Sequence, residues 1–249
     1  MQLSLFKPRD GWRRFAGEVG VIVLGVLLAL GAQQIAEAIH WRKEVRLTEQ
    51  ALTNEIAASI VNIAERKMVD QCLRDRLGYL VGKLQSANPQ WTAERLQLGK
   101  VSNTVTNIVP AAYRSPTRTW DQSAWESAKN SGVLSHMPRD RVAAFSSIYA
   151  MIDSERVTQD REDEAVPRLM YLSFDIALDA EGRRQAMSTL GELDWANGLL
   201  IVVGEQIIDS ARLMRLDFSK TNLNRDLADI EKLQRSFRGP CVKHVTVTL

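Results

Sequence analysis

The sequence predicts an all-α protein in which an N-terminal transmembrane helix continues into a long stalk helix packed in an extramembrane helical bundle. Three observations carry that expectation. Val19 to Ala32 form a run of 14 residues without a polar side chain. Apolar residues recur at helical spacing through most of the remaining chain, with prolines between those stretches. At 249 residues and 45% hydrophobic content, the chain has enough apolar side chains for a substantial core.

The apolar run by itself is too short to cross about 30 Å of hydrocarbon at ~1.5 Å per residue. Extended to Phe15 and Ala38 it contains 24 residues, roughly 36 Å of helix. Glu18, Gln33, Gln34 and Glu37 then fall near its ends, where polar groups reach the interface, and Trp12 and Trp41 flank it like an aromatic belt. Two other readings compete. A basic leader, an apolar centre and the small-x-small triplet Ala36-Glu37-Ala38 are the parts of a secretory signal, and a buried core helix is the third option. The helical pattern runs without a turn residue past Ala38 into "IHWRKEVRLTEQALTNEI", which favours a retained span. The expected organisation is a short cytoplasmic tail at 1–14, a transmembrane helix at 15–39 and a periplasmic helical-bundle domain at 40–249, in a single-pass protein of the bacterial inner membrane.

Charge agrees with a lipid bilayer as partner. The whole chain has 32 Lys and Arg against 30 Asp and Glu, so no basic face predicts nucleic-acid binding. Residues 1–46 alone carry a net charge of +3, and these positive charges bracket the apolar run. Gly25, Ala29, Ala32 and Ala36 stack small side chains on one side of the helix. Such a stripe lets two backbones approach closely in a homo-oligomer, although glycine and alanine are common in membrane helices without that role.

Beyond the span, Leu52, Ile56, Ile60 and Ile63, then Leu73, Leu77, Leu80 and Leu84, predict one long helix that ends before Asn88-Pro89. Thr92 reads as the N-cap of a short helix through Val101, with Arg95 in the capping-box position. "SNTVTNIVPAAYRSPTRT" is loop-rich. Two helices should follow, the first ending with Gly132 at C′ and the second opening with Pro138 at N1, and the second carries the stripe Val142, Phe145, Tyr149 and Ile152. "DSERVTQDREDEAVP" looks too charged to be buried, bends at Pro167, and precedes Leu169, Leu172 and Ile176. Gly182 marks a break. Leu193, Leu200, Val203, Ile207 and Met214 form another helical face, and Leu223, Leu227, Ile230, Leu233 and Phe237 a last one. The tail "VKHVTVTL" suits a small strand or an extended strip along the bundle.

The anchor pattern with Glu18, Gly25 and Ala29, together with Trp125, Lys129, Ser131, Gly132 and Tyr149 in the middle of the chain, resembles a family of uncharacterised bacterial single-pass membrane proteins. The family's pattern is a glycine-spaced N-terminal anchor followed by a helical domain with an aromatic-x-x-x-Lys-x-Ser-Gly segment. This chain lacks the Trp that such anchors often carry near Ile35, and its last third has no counterpart. The resemblance implies an envelope protein and assigns no activity.

Candidate chemistry is sparse. Cys72 and Cys241 are expected to pair if the domain is exported. Cys241 and His244 make half of a zinc site with no second pair. Asp160, Glu162, Asp163 and Glu164 form an acidic run that reads as a wet helix face without the glycine turn of a calcium loop. Trp120 and Trp125, with Tyr113 and Arg114 upstream, would either line a ligand groove or, more simply, wedge a short helix into the core. No nucleophile elbow, phosphate loop, H-E-x-x-H or paired C-x-x-C occurs, so neither an enzyme activity nor a cofactor is indicated. The expected function is a non-catalytic envelope interaction or sensing module that contacts another envelope protein. The alternative is an exported ligand-binding protein or hydrolase with a site near Trp120 and Trp125.

Overall fold

The computed structural model describes residues 11–86, 88–96 and 110–249. One helix dominates it. Helix α1 runs from Gly11 to Gln85 without interruption, 75 residues. Of the expected tail at 1–14, residues 1–10 lie outside the described residues, and Gly11 already opens the helix.

Four further helices complete the fold: α2 (Ser123–Ser131), α3 (Arg139–Ala165), α4 (Ala180–Leu213) and α5 (Leu223–Arg238). Contacts along α1 set their directions. Arg141, Tyr149 and Glu162 of α3 meet Glu49, Glu55 and Arg66 in turn, so α3 runs parallel to α1. Asn197 of α4 meets Asp70, and Gly204 lies against Ile63, so α4 runs antiparallel. A Cβ at Gly204 would sit 2.6 Å from the Ile63 Cγ2, so the missing side chain sets how closely α4 approaches α1. Helix α5 ascends beside α1, with Gln234 reaching Glu65.

The expected stalk is therefore the central helix of the bundle. Trp41 stacks on His136 with ring centroids 3.8 Å apart, and Val45 packs against the core, so no bare stalk separates the apolar segment from the bundle. The segment 110–122 descends in the groove between α1 and α3. It offers the Ala112, Pro116 and Thr119 carbonyls to Arg76, Arg66 and Asn62 in succession.

Several local expectations need correction. Residues 92–96 are not helical. Gln90–Trp91 (β1) pairs antiparallel with Ile176–Ala177 (β2), and the following amides are taken by tertiary partners. Trp91 Nε1 donates to the Leu172 carbonyl at 2.7 Å, the Ala93 amide to Asp175 and the Glu94 amide to Leu172, which leaves no i to i+4 ladder to build. Residues 97–109 lie outside the described residues. Gly132 ends α2 in the left-handed conformation as expected, at φ 79°, but Pro138 sits one position before the first turn of α3, at the N-cap. Gly182 is not a break either. Asp179 is the N-cap of α4, and its carboxylate accepts from the Gly182 amide at 2.8 Å. On α5 the buried central residue is Gln234, while Leu233 is exposed. The C-terminal tail is an extended strip and not a strand. Its Lys243 amide donates to the Met68 carbonyl, and its Thr248 carbonyl accepts from Arg212.

Candidate functional site

The bundle holds two apolar clusters stacked along α1. The one nearer the apolar N-terminal segment gathers Leu52, Ile56, Ile60 and Ile63 with Phe145, Tyr149, Ile152, Ile207, Trp120 and Trp125. The other gathers Met68, Leu73, Leu77 and Leu80 with Leu169, Leu172, Leu190 and Leu193. At the level between them lies a buried polar layer, and it is the densest chemistry in the molecule.

Its centre is a bidentate ion pair. Arg66 Nη1 and Nη2 donate to Glu162 Oε1 at 2.9 Å and Oε2 at 2.6 Å, with side-chain exposures of 7% and 0%. Nη2 also reaches the Pro116 carbonyl, and Nη1 contacts Asn197 Oδ1 at 3.5 Å. Burial presses the guanidinium toward its neutral form, but the charge and hydrogen bonds of Glu162 outweigh that and hold its pKa above the ordinary value. The neighbouring Glu65 is equally enclosed. It accepts from Arg118 Nε and Nη2, both at 2.5 Å, and from Gln234 Nε2 at 2.6 Å. Gln159 closes the layer, accepting from the Arg118 amide and Trp120 Nε1 and donating to the Arg118 carbonyl. Five chain segments are thus joined by hydrogen bonds at one level.

Two side chains here are exceptions. The buried Tyr113 hydroxyl, within the field of Arg66 and Glu162, has no hydrogen-bond partner among the described residues, and neither does Oε1 of the buried Glu155. Burial pushes the Glu155 carboxyl up to about 8, against the pull of the Arg66 charge.

A second polar device lies lower on α1. Glu55 Oε1 accepts from the Ala124 amide at 2.9 Å, and Oε2 accepts from Tyr149 Oη at 2.7 Å and from the Trp125 amide at 3.3 Å. The carboxylate thereby caps α2, whose own N-cap Gln122 makes no side-chain bond. Burial, and the hydrogen bond to Glu55, raise the Tyr149 hydroxyl well above its usual range.

The residues singled out in the sequence distribute unevenly around these features. Cys72 and Cys241 are joined in a disulfide that closes a separation of 169 residues and ties the end of α5 to α1. Cys241 is therefore committed, and His244 faces Glu231 at 2.7 Å. Trp120 and Trp125 are core residues. Trp125 stacks on Tyr149 at 5.0 Å, and both tryptophans are buried. Gly25, Ala29, Ala32 and Ala36 lie on the exposed part of α1, where a Cβ at Gly25 would meet nothing within 4 Å. The acidic run is not one wet face. Glu162 points inward to Arg66, Asp163 accepts from Thr117, and Asp160 pairs with Arg156.

Sequence reasoning missed Glu55, Glu65, Arg66, Glu155, Gln159, Asn197 and Gln234, and read the buried Glu162 as part of a wet face. A signal was present. Glu155, Gln159 and Glu162 continue the helical register of Phe145, Tyr149 and Ile152, so their phase already placed them on the inward face. Their charge argued the other way, and pairing across the bundle resolved the conflict.

What this arrangement does chemically is fix alignment. A polar layer whose members find partners only in one relative placement of α1, α3, α4 and α5 disfavours sliding of one helix against another. Among the described residues no group of three or more His, Cys, Asp or Glu is placed to hold a metal ion. Comparison of the chain with known protein families, with characterised proteins and with solved structures finds no match.

Proposed function

We propose that this protein is a membrane-anchored, non-catalytic interaction or sensing module of the bacterial envelope, held in the inner membrane by the first part of α1 with its bundle on the periplasmic side. One observation carries the reading. The same unbroken helix is an exposed apolar rod at one end and the packed centre of the bundle at the other. An 18-residue window of the rod has a mean hydropathy of 2.2 and is 0% buried, which makes it long and apolar enough to cross a membrane. The disulfide suits an oxidising compartment. With no hinge between span and bundle, a partner that tilts or rotates the bundle transmits that motion to the span, and a fixed height above the bilayer presents the bundle to another envelope protein.

The test is topological. The intact chain is expected to stay in the membrane pellet after alkaline carbonate washing, and a C-terminal alkaline-phosphatase fusion is expected to be active. Release of the full-length chain, or a silent fusion beside an active cytoplasmic reporter, would overturn the placement.

A further inference from the structure

Resting on that membrane placement, we propose that the end of the bundle from which the apolar rod emerges is a docking surface for anionic phospholipid headgroups. The topology gathers this face from four parts of the chain. Parallel α3 and α5 begin there, antiparallel α4 ends there, and α1 enters through it. Arg46, Arg141, Arg215 and Lys220 line an open cavity of about 190 Å³, together with the carboxylates of Glu49 and Asp217. Arg141 is engaged by Glu49 at 3.0 Å. Arg46, Arg215 and Lys220 are exposed and have no ion pair among the described residues. Arg46 on α1, and Arg215 and Lys220 on the connection between α4 and α5, therefore converge on one opening without a direct ion pair, Lys220 acting on Asp217 only through its field.

Two further features belong to the same face. Arg215 is the one non-glycine residue with a positive φ among the described residues, 51°, a conformation that an L-residue adopts at a cost in local strain. Two positions before it, Leu213 is 83% exposed, more than any other large apolar side chain given for the fold, and it borders a second opening with Asp140 and Arg141. An apolar side chain projecting beside unpaired arginines is the chemistry of an interfacial contact, with the apolar group dipping toward acyl chains and the cations meeting phosphates. Position agrees. Arg46 lies seven residues past Ile39, about 10 Å along the helix, and a long cationic side chain bridges much of that distance to the headgroup layer. Docking would seat the bundle upright on the bilayer and make its orientation depend on lipid charge.

The experiment uses the full chain in nanodiscs of phosphatidylcholine alone or with phosphatidylglycerol, and follows amide hydrogen exchange of residues 209–222. Anionic discs are expected to slow exchange there by about fivefold or more, the worth of one basic residue near an anionic surface. The Arg46→Gln, Arg215→Gln, Lys220→Gln triple variant should lose this protection, and the charge-keeping Arg46→Lys, Arg215→Lys, Lys220→Arg variant should retain it. Equal exchange in both disc types overturns the proposal. So does equal protection from inorganic phosphate in phosphatidylcholine discs, which would mark a free-anion site, or protection that follows the number of copies per disc, which would mark a second copy as the occupant. A chain that elutes apart from the discs overturns the span itself, whereas one that elutes with them and exchanges independently of lipid charge overturns only the docking surface.

Discussion

The two parts of α1 share one backbone geometry and have opposite surroundings. Between Phe15 and His40 every side chain is exposed, and Gly31 alone is half-buried. Between Leu52 and Val69 the same helix is enclosed on most sides, by α3, α4, α5 and the descending segment 110–122. Leu27 and Ile63 are both aliphatic residues in the middle of a helix, yet Leu27 is 60% exposed and Ile63 only 1%. Helical periodicity therefore does not set what a residue contributes to folding. The contribution comes from the neighbours, which among the described residues enclose Ile63 and leave Leu27 exposed.

The comparison can be broken first at the polar layer, where the largest effect is expected. Arg66→Ala leaves Glu162 buried without its partner and should lower unfolding free energy by about 3–5 kcal/mol, measured by denaturant titration. The double variant Arg66→Leu, Glu162→Leu should recover most of that loss. If the double variant is as unstable as the single one, the layer contributes by something other than charge pairing. Next comes the apolar core. Ile63→Ala should cost about 2–5 kcal/mol, since it removes packing against a site that Gly204 holds at close range.

A graded, pH-dependent effect belongs to Glu155. Its folded carboxyl is raised to about 8, while the unfolded one titrates near 4.3. Between those values the folded state binds more protons than the unfolded state, so stability falls as pH rises through this window and levels off above it. The slope is at most about 1.4 kcal/mol per pH unit. Glu155→Gln should flatten it and make the variant the more stable protein at pH 9; an unchanged slope would place the titrating group elsewhere. The smallest effect sharpens the contrast directly. Leu27→Ala should change bundle unfolding by less than about 0.5 kcal/mol, and a loss comparable to that of Ile63→Ala would mean that the rod has a protein partner.

Much of the architecture was legible in the residue pattern. The apolar rod, the long continuation through Leu84, the Gly132 stop and the Phe145, Tyr149 and Ile152 stripe all follow from local periodicity and glycine chemistry. What failed shares one cause. Thr92 has the residue type of a helix cap, but Trp91 and the following amides find partners in the segment 172–175, more than 70 residues away. The charged stretch from Asp153 to Pro167 reads as solvated until Arg66 and Asn197 arrive from other helices. Glu55 caps a helix that begins 68 residues later.

By itself the sequence determined most of the helical segments, which one has no polar side chains, and which two cysteines are available to pair, because propensity, periodicity and composition are local properties. Only the tertiary structure decided which carboxylates are buried, that the tryptophans fill a core, and that Arg46 shares one opening with Arg215 and Lys220 from a distant segment. Burial and charge pairing depend on neighbours brought together by folding, and a linear pattern does not contain those distances.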